Sequence, residues 1–412
     1  MARQQMTKQE KSWIKYDVGN SAFVLLSAAL IPVYFSQIAE EGSSAMVAWG
    51  YAETVASLVI ALIMPILGSL ADLKGNKKKF YIGFAGTGVI ACAALGIPSQ
   101  AFIFLVVYVI AAICLNSSMV FYDAFLIDAT DEKNYDKISS HGYAWGYIGS
   151  CIPFIVCLAV VLFGPGIGLP AAIGMKIAFG ITAVWWLAFS IPLVRNVQQI
   201  HFKKRGSSLF KDTFVGLGRT IKNIAKDKTL RFFMIAFFLY IDGVHTIIKM
   251  ATIYGADLGI DSTQLVLALL VTQFVAFPSA IIYGKISEKI GAKKILLISV
   301  FAYFCITVFA AFFLRNAIEF WILAVCVGLF QGGIQAISRS TFGKLIPKEH
   351  ANEYYGFFDI FGKYAAVLGT FLIAFIADIT GNPSLGVLSL VVVFALGFVF
   401  LCLMPDIKKT AR

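Results

Sequence analysis

The sequence predicts an all-α membrane protein of twelve transmembrane helices, arranged as two pseudo-symmetric six-helix bundles. Three observations predict it. Of 412 residues, 59% are hydrophobic and only 14% charged, where a soluble domain carries about 45–50% and roughly 25%. The apolar residues come in unbroken runs of about twenty, enough to cross some 30 Å of hydrocarbon at 1.5 Å rise per residue. One patterned stretch then occurs twice, at matched places in the two halves of the chain. Lipid offers no hydrogen bonds, so only helices and closed barrels can span it. Barrel strands would alternate apolar and polar residues over about ten positions; these runs do not.

The runs lie at 13–38, 44–70, 79–97, 100–125, 142–164, 171–194, 231–254, 263–287, 293–314, 317–342, 355–379 and 383–404. Ahead of the first, Met1 to Lys15 is polar, with Arg3, Lys8, Lys11 and Lys15, and the run is too long for a signal-peptide core, so it reads as a retained span. Lys74, Lys77, Lys78 and Lys79 follow span two; Lys133 and Lys137 follow span four; Lys285, Lys289, Lys293 and Lys294 join spans eight and nine; Lys344 and Lys348 follow span ten; Lys408, Lys409 and Arg412 end the chain. The opposite loops hold Glu40, Glu41, Asp257, Asp261 and the single Arg315. This asymmetry predicts a multi-pass cell (inner) membrane protein with both termini cytoplasmic, which an even span number also requires. It also accounts for the net charge of +11: the basic residues sit in separate loops facing an anionic inner leaflet, not on one duplex-binding face, so nucleic acid is not a partner.

Segment 195–230 is the longest polar stretch. Arg195, Lys203, Lys204, Arg205, Lys211, Arg219, Lys222, Lys226 and Lys228 outweigh Asp212 and Asp227, while Leu209, Phe210, Phe214, Leu217, Ile221 and Ile224 recur at helical spacing. This predicts an amphipathic helix on the cytoplasmic leaflet, a basic linker between bundles 1–194 and 231–412, with a regulatory or lipid-sensing element as the alternative. The cysteines, Cys92, Cys114, Cys151, Cys157, Cys305, Cys326 and Cys402, all fall inside apolar runs with no CxxC pair, and read as small core hydrophobes.

The repeat is Gly68-Ser-Leu-Ala-Asp72-Leu-Lys-Gly75-Asn-Lys-Lys-Lys79 at the end of span two and Gly284-Lys-Ile-Ser-Glu288-Lys-Ile-Gly291-Ala-Lys-Lys294 at the end of span eight. Gly142 to Gly149 likewise parallels Gly362 to Gly369. The glycines allow a tight turn and close helix approach; the acid can sit against a helix N-terminus of the other half. Two parallel halves are the sequence sign of a rocking transporter.

The first stretch resembles the signature loop between helices two and three of the major facilitator superfamily. That resemblance implies the major facilitator fold, a gating role for Gly68, Asp72 and Gly75, and a cavity lined by spans one, four, seven and ten. A narrower resemblance rests on Trp13-x-x-Tyr16-Asp17-x-x-Asn20-Ser21-Ala22-Phe23, on Pro32-x-Tyr34-Phe35, on Phe121-Tyr122-Asp123-Ala124 through Asp128, and on Gly328-x-x-Gln331-Gly332-Gly333-x-Gln335-Ala336-x-Ser338-Arg339-Ser340 with Leu345-Ile346-Pro347. These blocks resemble the autophagy-related vacuolar effluxer-like family and its bacterial relatives, whose eukaryotic members are associated with amino-acid export from the vacuole. In place of the family's frequent Trp-Ala after Tyr16-Asp17, this chain has Val18-Gly19, which removes an aromatic contact.

Ionisable groups at membrane depth cost about 2.5–3.5 kcal/mol on insertion scales, so each is a functional candidate. Asp242, His245 and Lys249 share one face of span seven; the cluster can carry a proton or bind a zwitterion, or the three can form a self-neutralising packing cluster. Glu53 in the outer half of span two is a further proton site, or pairs with Lys249. Asp17 and Asn20 share a face of span one, where Asp17 is placed to pair with Arg339 as an inner gate or to act as a helix-start cap. Asn116 on span four and Gln331 and Gln335, one turn apart on span ten, suit hydrogen bonding to a polar ligand, or hold helices together. Arg339 can grip an anionic group or snorkel to headgroups. Asp359 and Lys363, an i, i+4 pair on span eleven, read as gating or structural.

The expectation is therefore a secondary transporter working by alternating access, coupled to protons through Asp242, His245 or Glu53. Asp17, Asn20, Asn116, Gln331 and Gln335 bind a small polar or zwitterionic, amino-acid-like solute. The rival readings are an exporter of amphiphilic compounds such as lysolipids or drugs, and a solute sensor on a transporter fold. No Walker loop, HExxH, GxSxG or Cys/His cluster is present, so no cofactor, no metal and no enzyme activity is expected. The helix-five antiporter pattern is incomplete at Gly142, Gly146, Gly149 and Pro153. The chain is read as a monomer.

Overall fold

The computed structural model describes residues 5–39, 45–204 and 209–406. Arg3, Glu40, Glu41, Arg205, Lys408, Lys409 and Arg412 lie outside them. The helices are α1 (Lys8–Ala29), α2 (Ile31–Ile38), α3 (Ala45–Ala71), α4 (Asn76–Ala94), α5 (Ala101–Ala124), α6 (Leu126–Ala129), α7 (Tyr135–Phe163), α8 (Ala171–Asn196), α9 (Leu209–Lys226), α10 (Lys228–Asp257), α11 (Ser262–Ile290), α12 (Ala292–Phe312), α13 (Ala317–Leu345), α14 (Ala351–Thr380) and α15 (Pro383–Leu403). Single 3₁₀ turns, Glu132–Asn134 and Lys348–His350, introduce α7 and α14.

The helix starts follow from local chemistry. Thr7 and Glu10 form a reciprocal capping box on α1, and Asn316 and Glu319 form another on α13. Asp227, Asp261 and Asn382 cap α10, α11 and α15. Gly75 (φ 77°) and Gly291 (φ 92°), the second glycines of the two repeats, stand at the N-caps of α4 and α12. Both adopt backbone angles that side chains disfavour, so the repeated glycine is a turn requirement. The first expected span, 13–38, is broken at Leu30, where α1 and α2 meet at 45° just before Pro32.

Ten of the described helices are long and apolar enough to cross a membrane, and the bent α1–α2 pair makes eleven. The expected span at 79–97 is α4, which carries Lys77, Lys78 and Lys79 in its first turn and so falls short by composition. Apolar side chains face outward on the spanning helices, with Leu62 at 73%, Phe102 at 77% and Ile318 at 74% exposure, a surface suited to lipid. All seven cysteines are free; Cys92, Cys114, Cys151 and Cys157 are buried.

The chain divides into two compact units. One comprises Met1–Asp131, Trp145–Phe214 and Lys348–Gly356; the other comprises Glu132–Ala144, Val215–Pro347 and Phe357–Arg412. In the first, α1 packs on α8, α4 on α5 and α8, and α3 on α5. In the second, α10 packs on α15, α12 on α13 and α15, and α11 on α13. Each pair in one unit has its counterpart in the other, so the sequence repeat is a repeat of packing. Close contacts use small residues, as expected where dispersion and not hydrophobic drive joins helices. A Cβ at Gly328 would stand 2.9 Å from the Thr272 carbonyl oxygen.

Candidate functional site

In the first unit, Trp13, Tyr16, Asp17 and Asn20 bring the family block of α1 against α5. Trp13 stacks on Tyr122 with centroids 4.5 Å apart and donates from Nε1 to the Tyr122 carbonyl at 2.9 Å. The Tyr122 hydroxyl donates to Asp17 Oδ2 at 2.6 Å. Tyr16 and Ser118 share a 2.6 Å hydrogen bond. Asn20 and Asn116 donate Nδ2 to carbonyls of their own helices, Tyr16 and Ala112, at 2.8 and 2.7 Å. Each amide oxygen is left without a donor among the described residues. Asp17 and Asn20 are almost fully buried. Glu53 accepts a hydrogen bond from the Tyr108 hydroxyl. At Val18-Gly19 the aromatic surroundings come from α8: Trp185 donates to the Val18 carbonyl at 3.1 Å, and a Cβ at Gly19 would stand 2.9 Å from Phe189 Cβ.

In the second unit, Asp242 and His245 of α10 both lean on α14, at different heights. Asp242 is fully buried and its Oδ1 accepts the Gly369 backbone N–H at 2.8 Å. Among the described residues its Oδ2 has no partner, and neither has the adjacent Thr246 hydroxyl. His245 Nδ1 lies 3.2 Å from the Gly362 carbonyl oxygen, which fixes the proton on that nitrogen. The two side chains thus stand near one another in sequence, yet each is held by its own backbone group of α14. Lys249 is exposed, the Lys363 side chain lies outside the described ones, and Asp359 is half-buried on α14.

Gln331 and Gln335 of α13 lie one turn apart on the face that also presents Ser338, whose hydroxyl meets Tyr240 at 2.6 Å. Gln331 is buried, Gln335 half-buried. Neither amide has a hydrogen-bond partner among the described residues. The Tyr240–Ser338 pair repeats the Tyr16–Ser118 pair of the first unit, so the two helix pairs are built alike.

The signature loop places Asp72 at the start of α14. Its Oδ1 accepts the Asn352 N–H at 2.8 Å and the Asn352 Nδ2 at 2.7 Å; its Oδ2 accepts the Glu353 N–H at 3.1 Å. The acid therefore caps a helix N-terminus of the sequence's second half. Burial pushes Asp72 up to about 6, against the pull of Lys77 and of its three donors. A Cβ at Gly68 would stand 2.5 Å from the Asn352 carbonyl oxygen. The degenerate second repeat works differently. Glu288 is exposed, and the acid comes instead from Asp136 at the start of α7. Asp136 accepts from Ser287 at 2.7 Å, Ser340 at 2.6 Å and Lys344 at 2.5 Å. Beside it Arg339 is buried, donating Nε to the Ser139 hydroxyl and Nη2 to the Ser139 carbonyl at 2.9 and 3.0 Å, with its guanidinium 4.3 Å above Tyr143. It is packed inside the protein and does not snorkel. Arg339→Lys keeps the charge but loses the fork and the stacking; a drop of about 2 kcal/mol in stability is expected, read as a lower melting temperature at unchanged helix content.

Two features escaped the sequence reading. The first is Asp136, whose helix-start position mirrors Asn352. The second is a strap at 199–203. Gln199 accepts the Gly75 N–H at 2.8 Å and donates to the Ala71 carbonyl at 3.1 Å. The Ile200 and His201 N–H groups donate to Asp128 Oδ1 at 2.9 Å. The Lys203 N–H donates to the Asp72 carbonyl at 2.8 Å. Asp128 also binds Lys77 at 2.6 Å. Burial would raise Asp128, but Lys77 and His201 hold it below the usual carboxylate range.

This arrangement matches known proteins. The human organic anion transporter MFSD10 superposes with a TM-score of 0.76 at 13% identity, covering 96% of this chain and all of that one. The E. coli fucose:proton symporter FucP superposes at 0.71 and 16%, covering 97% and 98%. In sequence, the Bacillus subtilis (strain 168) MFS-type transporter YxiO, itself uncharacterized, is 43% identical over 98% of this chain and 96% of its own length. Autophagy-related protein 22 of Cryptococcus neoformans is 26% identical over 62% of this chain; the chain spans about half (48%) of that relative's length. The fold is thus the major facilitator fold, and the protein is a multi-pass membrane transporter, not an enzyme. The family model described as "Vacuole effluxer Atg22 like" matches residues 44–412, and the chain belongs to that family.

Proposed function

We propose that the protein moves a small polar or zwitterionic, amino-acid-like solute by alternating access, with protons as the coupling ion. The observation that carries this reading is Asp242: a carboxylate buried at membrane depth, anchored through one oxygen and with the other lacking a partner among the described residues. Such a group is costly to keep in hydrocarbon and earns its place by binding something in the transport cycle; an unpartnered oxygen beside Thr246 can take and return a proton. His245, oriented by Gly362, stands one turn further along α10. In the second unit the two glutamines of α13 offer donors and acceptors to a polar solute; in the first, Asn20 and Asn116 offer free amide oxygens, while Asp17 is held by Tyr122. Glu53 is a second proton group. Asp72, Gly68, Gly75 and Arg339, with Asp359 and Lys363, govern conformation and do not touch the solute. The membrane is the cell membrane, with both termini in the cytoplasm.

Gln331→Leu and Gln335→Leu keep the volume near that of the amide and remove its hydrogen bonds. Each is expected to raise the solute concentration for half-maximal transport roughly tenfold, the worth of one or two neutral hydrogen bonds. A thermal-shift screen of amino acids and related zwitterions at two pH values identifies the solute; the same screen on the variants should lose the shift. A wild-type protein stabilised only by uncharged amphiphiles would overturn the amino-acid-like reading.

A further inference from the structure

Helix α9 is built the wrong way round for water. Thr213 and Thr220 are buried, while Phe214 is 59% and Ile221 55% exposed. Phe214 and Ile221 are seven residues apart and share one face. Next to them Arg219, Lys222 and Lys226, spaced i, i+3 and i+7, are all exposed. An apolar strip beside a basic strip is the pattern of a helix lying in a headgroup layer.

The position of α9 fits the same layer. Its last residue, Lys226, is followed by Asp227 and then by Lys228, the first residue of membrane-crossing α10. The corner is fixed on both sides. Asp227 Oδ1 accepts the Leu230 N–H at 2.9 Å, and Arg231 Nη1 donates to the Ala225 carbonyl at 2.8 Å. The C-terminal end of α9 is therefore held at the level where α10 begins, with no slack for it to swing into bulk water. Lys228 and Arg231 add two more exposed cations at that level. A soluble protein partner would need no apolar strip so close to the membrane surface; a neutral lipid surface would leave the basic strip unpaired.

We propose that α9 docks on anionic phospholipid headgroups, with Phe214 and Ile221 in the acyl boundary and Arg219, Lys222 and Lys226 on the phosphates. The strap just ahead of it ties Gln199, Ile200, His201 and Lys203 to the signature turn, so the lipid contact sits a few residues along the chain from the element that sets conformation.

The test is hydrogen–deuterium exchange of the 213–226 amides in the full-length protein in nanodiscs. One set is phosphatidylcholine alone; the other contains about 30 mol% phosphatidylglycerol. Wild type is expected to exchange at least about tenfold more slowly in the anionic discs, and to lose that gain at high salt. The combined Arg219→Gln, Lys222→Gln, Lys226→Gln variant should show no difference between discs. The Phe214→Ser, Ile221→Ser variant should exchange fast in both. Elution profiles and exchange in α13 report folding independently. Equal wild-type exchange in the two discs would overturn the proposal, and so would a gain that survives neutralisation of the three cations or persists in high salt.

Discussion

Asp242→Asn is expected to abolish proton-driven uptake while leaving a folded, monodisperse protein. Asn keeps an acceptor for the Gly369 N–H, so the anchoring bond of 2.8 Å can persist. What disappears is the exchangeable proton on the second oxygen. The penalty for a charge at membrane depth, about 2.5–3.5 kcal/mol, corresponds to roughly a hundredfold shift between conformations that bury the group and conformations that hydrate it. Removing it should cut gradient-driven uptake by about that factor. Solute exchange at equal pH on both sides should survive. His245→Ala should also lose coupling, through loss of the group held by Gly362. Transport in both variants at wild-type pH dependence would refute a coupling role for α10.

Gly68→Ala is the second change expected to have a large effect. Its Cβ would stand 2.5 Å from the Asn352 carbonyl oxygen, 2.9 Å from that carbonyl carbon and 3.1 Å from Glu353 Cα. All three are backbone atoms, so no side chain can turn aside. The first turn of α14 must retreat, and the Asn352 and Glu353 N–H groups then leave Asp72. Overpacking of this kind costs about 1–3 kcal/mol, enough to shift a docking equilibrium by about ten- to a hundredfold. The docked arrangement also depends on pH. Asp72 is pushed up from 3.8 to about 6 by burial, so the docked state holds a proton that an undocked, hydrated carboxylate releases. Docking is therefore strongest below the ordinary carboxylate value, weakens as pH rises towards about 6, and is level above it. Wild-type melting temperature should carry this fall, and Asp72→Asn should lack it. A variant with Ala at position 68 that melts and transports like wild type would contradict the close approach.

Much of the architecture was legible in the sequence because it is written in long-range patterns. Unbroken apolar runs located the helices, and the repeated Gly-acid-Gly stretches located two equivalent turns, with Gly75 and Gly291 both at positive φ. Asp72 was expected at a helix N-terminus of the other half, and there it lies. What escaped depends on contacts between residues far apart in the chain. Glu288 occupies the acid's place in the second repeat, but Asp136 performs the polar contact from the opposite helix; spacing within one loop cannot show that exchange. The strap at 199–203 reads as ordinary linker, since it holds Asp128 through the backbone N–H groups of Ile200 and His201 and accepts the Gly75 N–H on the Gln199 side chain. Shared faces were legible on α10, but the separate backbone anchors of Asp242 and His245 come from α14 and required its register. For Val18-Gly19 the sequence suggests a lost aromatic contact, whereas Trp185 and Phe189 of α8 surround the site.

The most direct measurement is proton movement during transport. Purified protein is reconstituted into liposomes, the solute with the largest thermal shift is added outside under an imposed pH gradient, and external pH and solute content are followed together. The expected result is stoichiometric movement of protons with solute in wild type, solute exchange without net proton movement for Asp242→Asn, and no response to a sodium gradient. Solute accumulation with no proton flux, or proton flux unchanged in Asp242→Asn and His245→Ala, would contradict proton coupling through α10.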